Sequence, residues 1–87
     1  MEKGFNSDIF VNGVSYHIQT EDWGKENPFI VTRIYKSGAV LKSIKTSYDD
    51  IWKRSPRSDK HAIRLAMQLQ HQEILDQLVG GKNQTTI

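Results

Sequence analysis

The chain contains no cysteine, which excludes a disulfide framework, a thiolate metal site and a cysteine nucleophile together. No stretch reaches the run of about 18 apolar residues that a membrane span needs. The opening residues Met1-Glu2-Lys3-Gly4-Phe5-Asn6 also lack the apolar core of a signal peptide. These absences lead to the expectation of an untargeted, soluble, cytoplasmic chain that does not contact membrane. A phosphate-cradling glycine loop is missing too, because Gly80-Gly81 follows a helical pattern instead of preceding one and offers no helix-start N–H groups to an anion. There is no RNP, KH or zinc-finger pattern.

The 87 residues and 10.0 kDa leave room for a single domain, 1–87, with flexible ends at about 1–6 and 82–87. A net charge of +2 conceals an uneven distribution. Residues 1–32 carry two Lys against five Asp or Glu, whereas residues 33–64 carry nine Lys or Arg against three acids. That polarity points to an acidic partner for the middle of the chain or to self-association of unlike ends; solvated charge on exposed faces is the plainer reading.

Apolar and polar residues alternate from Asp8 to Glu21 around Asn12-Gly13, a pair that accepts the positive φ angles of a type I′ hairpin turn. Strands are expected at about 8–12 and 14–21, with Val14, Tyr16, Ile18 and Thr20 facing a core. After a loop over 22–28, residues 29–36 and 39–46 read as a second hairpin about Ser37-Gly38. Its first strand carries Ile30 and Ile34 on one face and Phe29, Val31 and Tyr35 on the other, more apolar surface than one helix covers. In the next strand, Ala39 and Leu41 fall on one side and Val40 and Ile44 on the other.

Ser47-Tyr48-Asp49-Asp50 supplies an N-cap and an acid three residues on, a start for a short helical turn. A long helix begins at Ser55-Pro56 or one turn later at Ser58-Asp59 and runs to about Val79 before Gly80-Gly81. Ile63, Met67, Ile74 and Leu78 form a stripe that packs on the sheet. Ala62, Leu65 and Leu69 form a second stripe about 160° away, which calls for a second cover: the turn around residues 48–52, another copy of the chain, or a different protein. The fold class is therefore α+β, a four-stranded antiparallel sheet of two hairpins followed by a short helical turn and a long carboxy-terminal helix on one face.

Candidate chemistry is sparse. His17 and Glu21 are four strand residues apart, about 13 Å, too far for an acid–base pair. His61 and His71 sit about 80° and about 15 Å apart on a helix, and neither has a ligand four residues on. The triplet Asn83-Gln84-Thr85 lacks a secretory context. No catalytic residue, metal ligand or cofactor site is assigned, and the chain does not read as an enzyme. Lys42, Lys45, Lys53, Arg54 and Arg57, with Tyr48 and Trp52 as stacking platforms, form a candidate nucleic-acid face interrupted by Asp49, Asp50 and Asp59. Trp23, beside Gly24, is a candidate interface anchor or a lid over one end of the sheet.

The run Tyr16-His17-Ile18-Gln19-Thr20-Glu21-Asp22, with Asn27-Pro28-Phe29-Ile30-Val31-Thr32, Ser37-Gly38 and Lys45-Thr46-Ser47-Tyr48, resembles a short domain found in uncharacterised bacterial proteins. The likeness covers about half of the chain. It implies a bacterial cytoplasmic module and carries no activity, ligand or site residue with it. The surplus apolar surface leads to the favoured expectation, a non-catalytic interaction or regulatory module that meets a protein partner or itself through Trp23, Phe29, Val31, Tyr35, Leu65 and Leu69. The alternative is a small nucleic-acid-binding protein acting through residues 42–64.

Overall fold

A computed structural model describes residues 4–55 and 59–80. Strands β1 (Phe5–Val11), β2 (Val14–Asp22), β3 (Phe29–Lys36) and β4 (Ala39–Ser47) form one antiparallel sheet in chain order, followed by helices α1 (Tyr48–Arg54) and α2 (Lys60–Gly80). This is the expected α+β arrangement. Asn12 (φ 51°) and Gly13 (φ 80°) make the first hairpin turn, and their two-residue loop sets the register Val11↔Val14 through Phe5↔Thr20. Ser37 (φ 54°) and Gly38 (φ 82°) make the second turn in the same way.

The structure departs from the sequence reading at the start of β1 and within β4, and it decides between the two starts offered for the long helix. Strand β1 starts at Phe5 rather than near residue 8, because Phe5 packs against the apolar cluster around Ile30 and Met67. Residues 5 and 6 are thus strand, not a flexible end. Just before them, a Cβ on Gly4 would lie 2.2 Å from the Thr20 carbonyl oxygen, so only glycine fits that approach. In β4, Ile34 pairs with Lys42 but Tyr35 pairs with Val40, so Leu41 is the extra residue of a bulge. The bulge puts Val40 on the opposite face from Ile44, although alternation placed them together. Helix α2 takes the later of the two starts: Asp59 Oδ1 accepts from the Ala62 N–H at 3.2 Å. Arg57 and the tail 82–87 lie outside the described residues.

Helix α1 forms where its cap predicts, with Ser47 Oγ accepting from the Asp50 N–H at 3.1 Å. It ends at Ser55, extended at φ −119° and ψ 139°, as the residue before a proline must be. Its buried Ile51 and the neighbouring Tyr48 and Trp52 join Ile30, Ala62, Ile63 and Met67 in one apolar cluster. A second cluster gathers Ile18, Ile34 and Ile74 with Ile9, Tyr16, Ile44, Leu75 and Leu78.

A buried polar belt crosses the sheet between the two clusters. Thr46 Oγ1 donates to Gln70 Oε1 (2.5 Å), and Gln70 Nε2 donates to Thr32 Oγ1 (2.9 Å). Thr32 and Thr20 hydroxyls meet at 2.7 Å, Thr20 meets His71 Nδ1 at 2.7 Å, and His71 Nε2 meets Ser7 Oγ at 2.8 Å. Because Thr32 already accepts from Gln70, every proton in the belt finds an acceptor when Thr32 donates to Thr20, Thr20 donates to Nδ1, and neutral His71 donates from Nε2 to Ser7. One side chain from each strand is thereby tied to α2. Thr20 and Thr32 have no exposed surface, where an unmade hydrogen bond costs about 1–3 kcal/mol.

This belt makes the fold sensitive to acid. Burial first, and the charge of His17 second, hold the His71 pKa below its ordinary 6.5. A protonated ring would also donate from Nδ1 to Thr20, reversing the Thr20–Thr32 bond and leaving the Thr32 proton without its acceptor. Stability tied to neutral His71 is complete above about pH 6.5 and is lost as pH falls through that value toward the lowered native pKa. Thermal unfolding from pH 8 to pH 4.5 should show Tm dropping below about pH 6.5, and His71→Gln should lower Tm at pH 8 while flattening that drop; an equally steep drop in the variant would remove His71 as the cause.

Candidate interaction surfaces

Helix α2 lies over β1, β2 and β3, because its stripe of Ile63, Met67, His71 and Ile74 is buried there. The inner face of β4 is left beside the helix as the floor of an open cleft of about 540 Å3. Lys42, Ile44 and Thr46 form the floor; Ala62, Ala66, Leu69 and Glu73 form the helical wall; Arg54 stands at the α1 end. Leu65 and Leu69 are 55% and 61% exposed. The second stripe of α2 therefore divides: α1 covers Ala62, whereas the two leucines remain open to solvent. Alternation along the strand places Ile44 on a sheet face and passes over Ala66 and Glu73; the spacing Ala62-Ala66 at i and i+4 is the signal that marks a smooth wall.

Among the described residues no helix covers the opposite sheet face. Trp23 folds back from the β2–β3 loop, its Nε1 donating to Glu21 Oε1 at 3.3 Å. Its ring lies 5.7 Å from Arg33 Cζ and 5.3 Å from Lys45 Nζ, and that ammonium is also 4.4 Å from the Phe29 ring. Such cation–ring contacts contribute about 0.5–1 kcal/mol at exposed sites. Beneath this cluster Val31 is 3% exposed, so it is a core residue and offers no contact surface. Tyr35, further along β3, is half-buried against His17 with ring centroids 5.8 Å apart.

His17 Nδ1 also meets Asp8 Oδ1 at 2.8 Å. Spacing along one strand sets His17 against Glu21, yet a two-residue turn at 12–13 pairs residue 8 with residue 17 across the hairpin. The Asp8 side chain is 85% exposed, so solvent screens the pair and its contribution is small.

The basic residues do not share one surface. Lys42 faces the cleft, Lys45 lies on the open sheet face with Trp23, and Lys53 and Arg54 are exposed on the last turn of α1. Tyr48 and Trp52 are not free platforms, because they pack edge to face, 5.6 Å apart, against the core cluster. The Tyr48 hydroxyl donates to Asp22 Oδ1, which also accepts from the Gly24 N–H at 3.0 Å, and the Tyr48 N–H donates to the Pro28 carbonyl at 2.9 Å. The β2–β3 loop is thus pinned to the start of α1. Among the described residues no group of three or more His, Asp or Glu is placed to hold a metal ion, and no helix is long and apolar enough to cross a membrane.

Comparison with protein-family models, curated proteins and solved structures finds no match.

Burial, reinforced by the Asp22 carboxylate, pushes the Tyr48 pKa up from 10.0 to about 12. A raised phenol pKa stabilises the fold below pH 10, and that stability is lost as pH rises through about 12. Absorbance titration at 295 nm should show one of the three tyrosines ionising about two pH units late. Tyr48→Phe should remove that late step and cost about 1–3 kcal/mol in urea unfolding, through the buried Asp22 left short of a donor; three tyrosines titrating together near pH 10 in the folded protein would contradict this.

Proposed function

We propose that the chain is a non-catalytic interaction module that self-associates as a homodimer through its helix side. The observation that carries this reading is the cleft over β4, where a half-covered sheet face lies next to two exposed leucines on the same helix. Exposed leucines scattered singly are ordinary; here both line one cleft, over a floor of Lys42, Ile44 and Thr46. Burying a fully exposed leucine side chain contributes about 1.5–3 kcal/mol, so Leu65 and Leu69, 55% and 61% exposed, each gain somewhat more than half of that at a two-fold interface. The open sheet face suits this role less well, since Val31 is already covered within the chain and Trp23 is engaged with Glu21.

A second reading is favoured by Arg33 and Lys45. Two cations lie against Trp23 and Phe29 on the uncovered face of a four-stranded sheet, a pairing of charge and stacking surface that suits single-stranded nucleic acid. This site draws only Lys45 from the basic segment and adds Arg33 to it.

Light scattering coupled to size exclusion should give a mass near 20 kDa, twice the 10.0 kDa of the chain, unchanged between low and high salt. Leu69→Lys should lower it toward 10 kDa with an unchanged circular dichroism spectrum, because position 69 is solvent-exposed in the single chain. A wild-type mass of 10 kDa at about 100 µM would overturn self-association. For the second reading, fluorescence anisotropy with a labelled single-stranded oligonucleotide should show affinity falling steeply with salt and dropping about tenfold in Arg33→Ala/Lys45→Ala; no binding at 50 mM salt would dismiss it.

A further inference from the structure

We infer that the two copies meet face to face, with their α2 helices lying antiparallel in one layer between two sheets; this rests on the self-association reading and specifies its geometry. At about 100° per residue, the buried stripe of Ile63, Met67, His71 and Ile74 points to the chain's own sheet. Ala62, Ala66 and Glu73 point sideways over β4, and Leu65 and Leu69 point nearly directly away from the sheet. A partner that covers all of these must both lie beside α2 and roof it. A second sheet carrying its own α2 does both, because that helix drops into the cleft while the partner's β4 floor closes over Leu65 and Leu69.

The competing two-fold, in which the sheets join edge to edge through β4, fails on distance. It would leave the two β2 strands, and the helices above them, five strand spacings apart, about 24 Å at 4.8 Å each. Helices pack at about 8–10 Å, so the leucines would stay uncovered.

The cleft wall is self-complementary under an antiparallel two-fold. Its amino-terminal half is small, Ala62 and Ala66; its carboxy-terminal half is bulky, Glu73 and Gln77. Antiparallel helices set each half against the other and permit close approach. The same operation carries the partner's Glu73 toward Arg54, which stands at the α1 end of the cleft, so the acid of each copy meets a cation of the other, with Lys42 the second cation of each cleft. A stable dimer buries about 800 Å2 per partner, about an eighth of the 6123 Å2 surface of the chain.

The test is a charge exchange read by light scattering and sedimentation. Arg54→Glu and Glu73→Arg should each weaken the dimer about tenfold, since each occurs twice at a two-fold interface. The double variant should recover to within about threefold of wild type. Both residues are exposed in the single chain, and circular dichroism reports whether the fold is retained. A wild-type dimer whose single variants associate normally, or whose double variant fails to recover, overturns the face-to-face geometry and leaves self-association standing. A monomeric wild type overturns both.

Discussion

The hydrogen-bonded belt from Thr46 through Gln70, Thr32, Thr20 and His71 to Ser7 is the constraint on which the rest of this structure depends. Apolar packing alone tells a helix which face to bury and says little about where along the sheet it rests. The belt adds that information, because Gln70 and His71 each have one position at which strand hydroxyls meet them. Sliding α2 by a turn would leave threonines with no exposed surface unpaired, at a cost that a small core does not offset. The belt also explains why the interior splits into two apolar clusters, one backed by α1 and one reaching toward the hairpin turns.

Fixing α2 over β1 to β3 has a consequence at the surface. A single helix is about 10 Å wide and a four-stranded sheet about 15–19 Å, so one edge strand must go without cover. The short α1 reaches only the Thr46 end of β4, and the cleft opens where it stops. On the other face the chain makes its own partial cover, with the Trp23 and Phe29 rings against Arg33 and Lys45, and Val31 on the same face is buried. The two faces of the sheet therefore differ in kind: one is partly covered by Trp23 and Phe29, and the other is open over β4 beside exposed leucines.

Much of the fold was legible because local rules agree with one another. Asn12-Gly13 dictates a hairpin, its loop length dictates the register, and the register already pairs Asp8 with His17 and Phe5 with Thr20. Ser47 and Asp50 mark the start of α1, and Ser55 before proline marks its end. The bulge at Leu41 was not legible, since alternation carries no sign of an added residue until the partner strand is known. The interface residues fared unevenly for the same reason. Leu65 and Leu69 stay exposed as their helical angle demands, whereas Val31 is buried, and Tyr48 and Trp52 pack on the core cluster that holds Ile51, with the Tyr48 hydroxyl bound to Asp22.

The histidines mark the boundary most clearly. From spacing alone, His61 and His71 are two rings on one helix that do not meet, and that much is correct. Only the packed sheet decides that one is exposed while the other is buried, neutral and held between Thr20 and Ser7. Element order, turn types, caps and the two helical stripes follow from the chain because they are set by neighbours within a few residues. Which threonines face which helix position, which apolar residues are covered and which surface is left open are set by residues up to 64 apart, and only the tertiary structure brings those together.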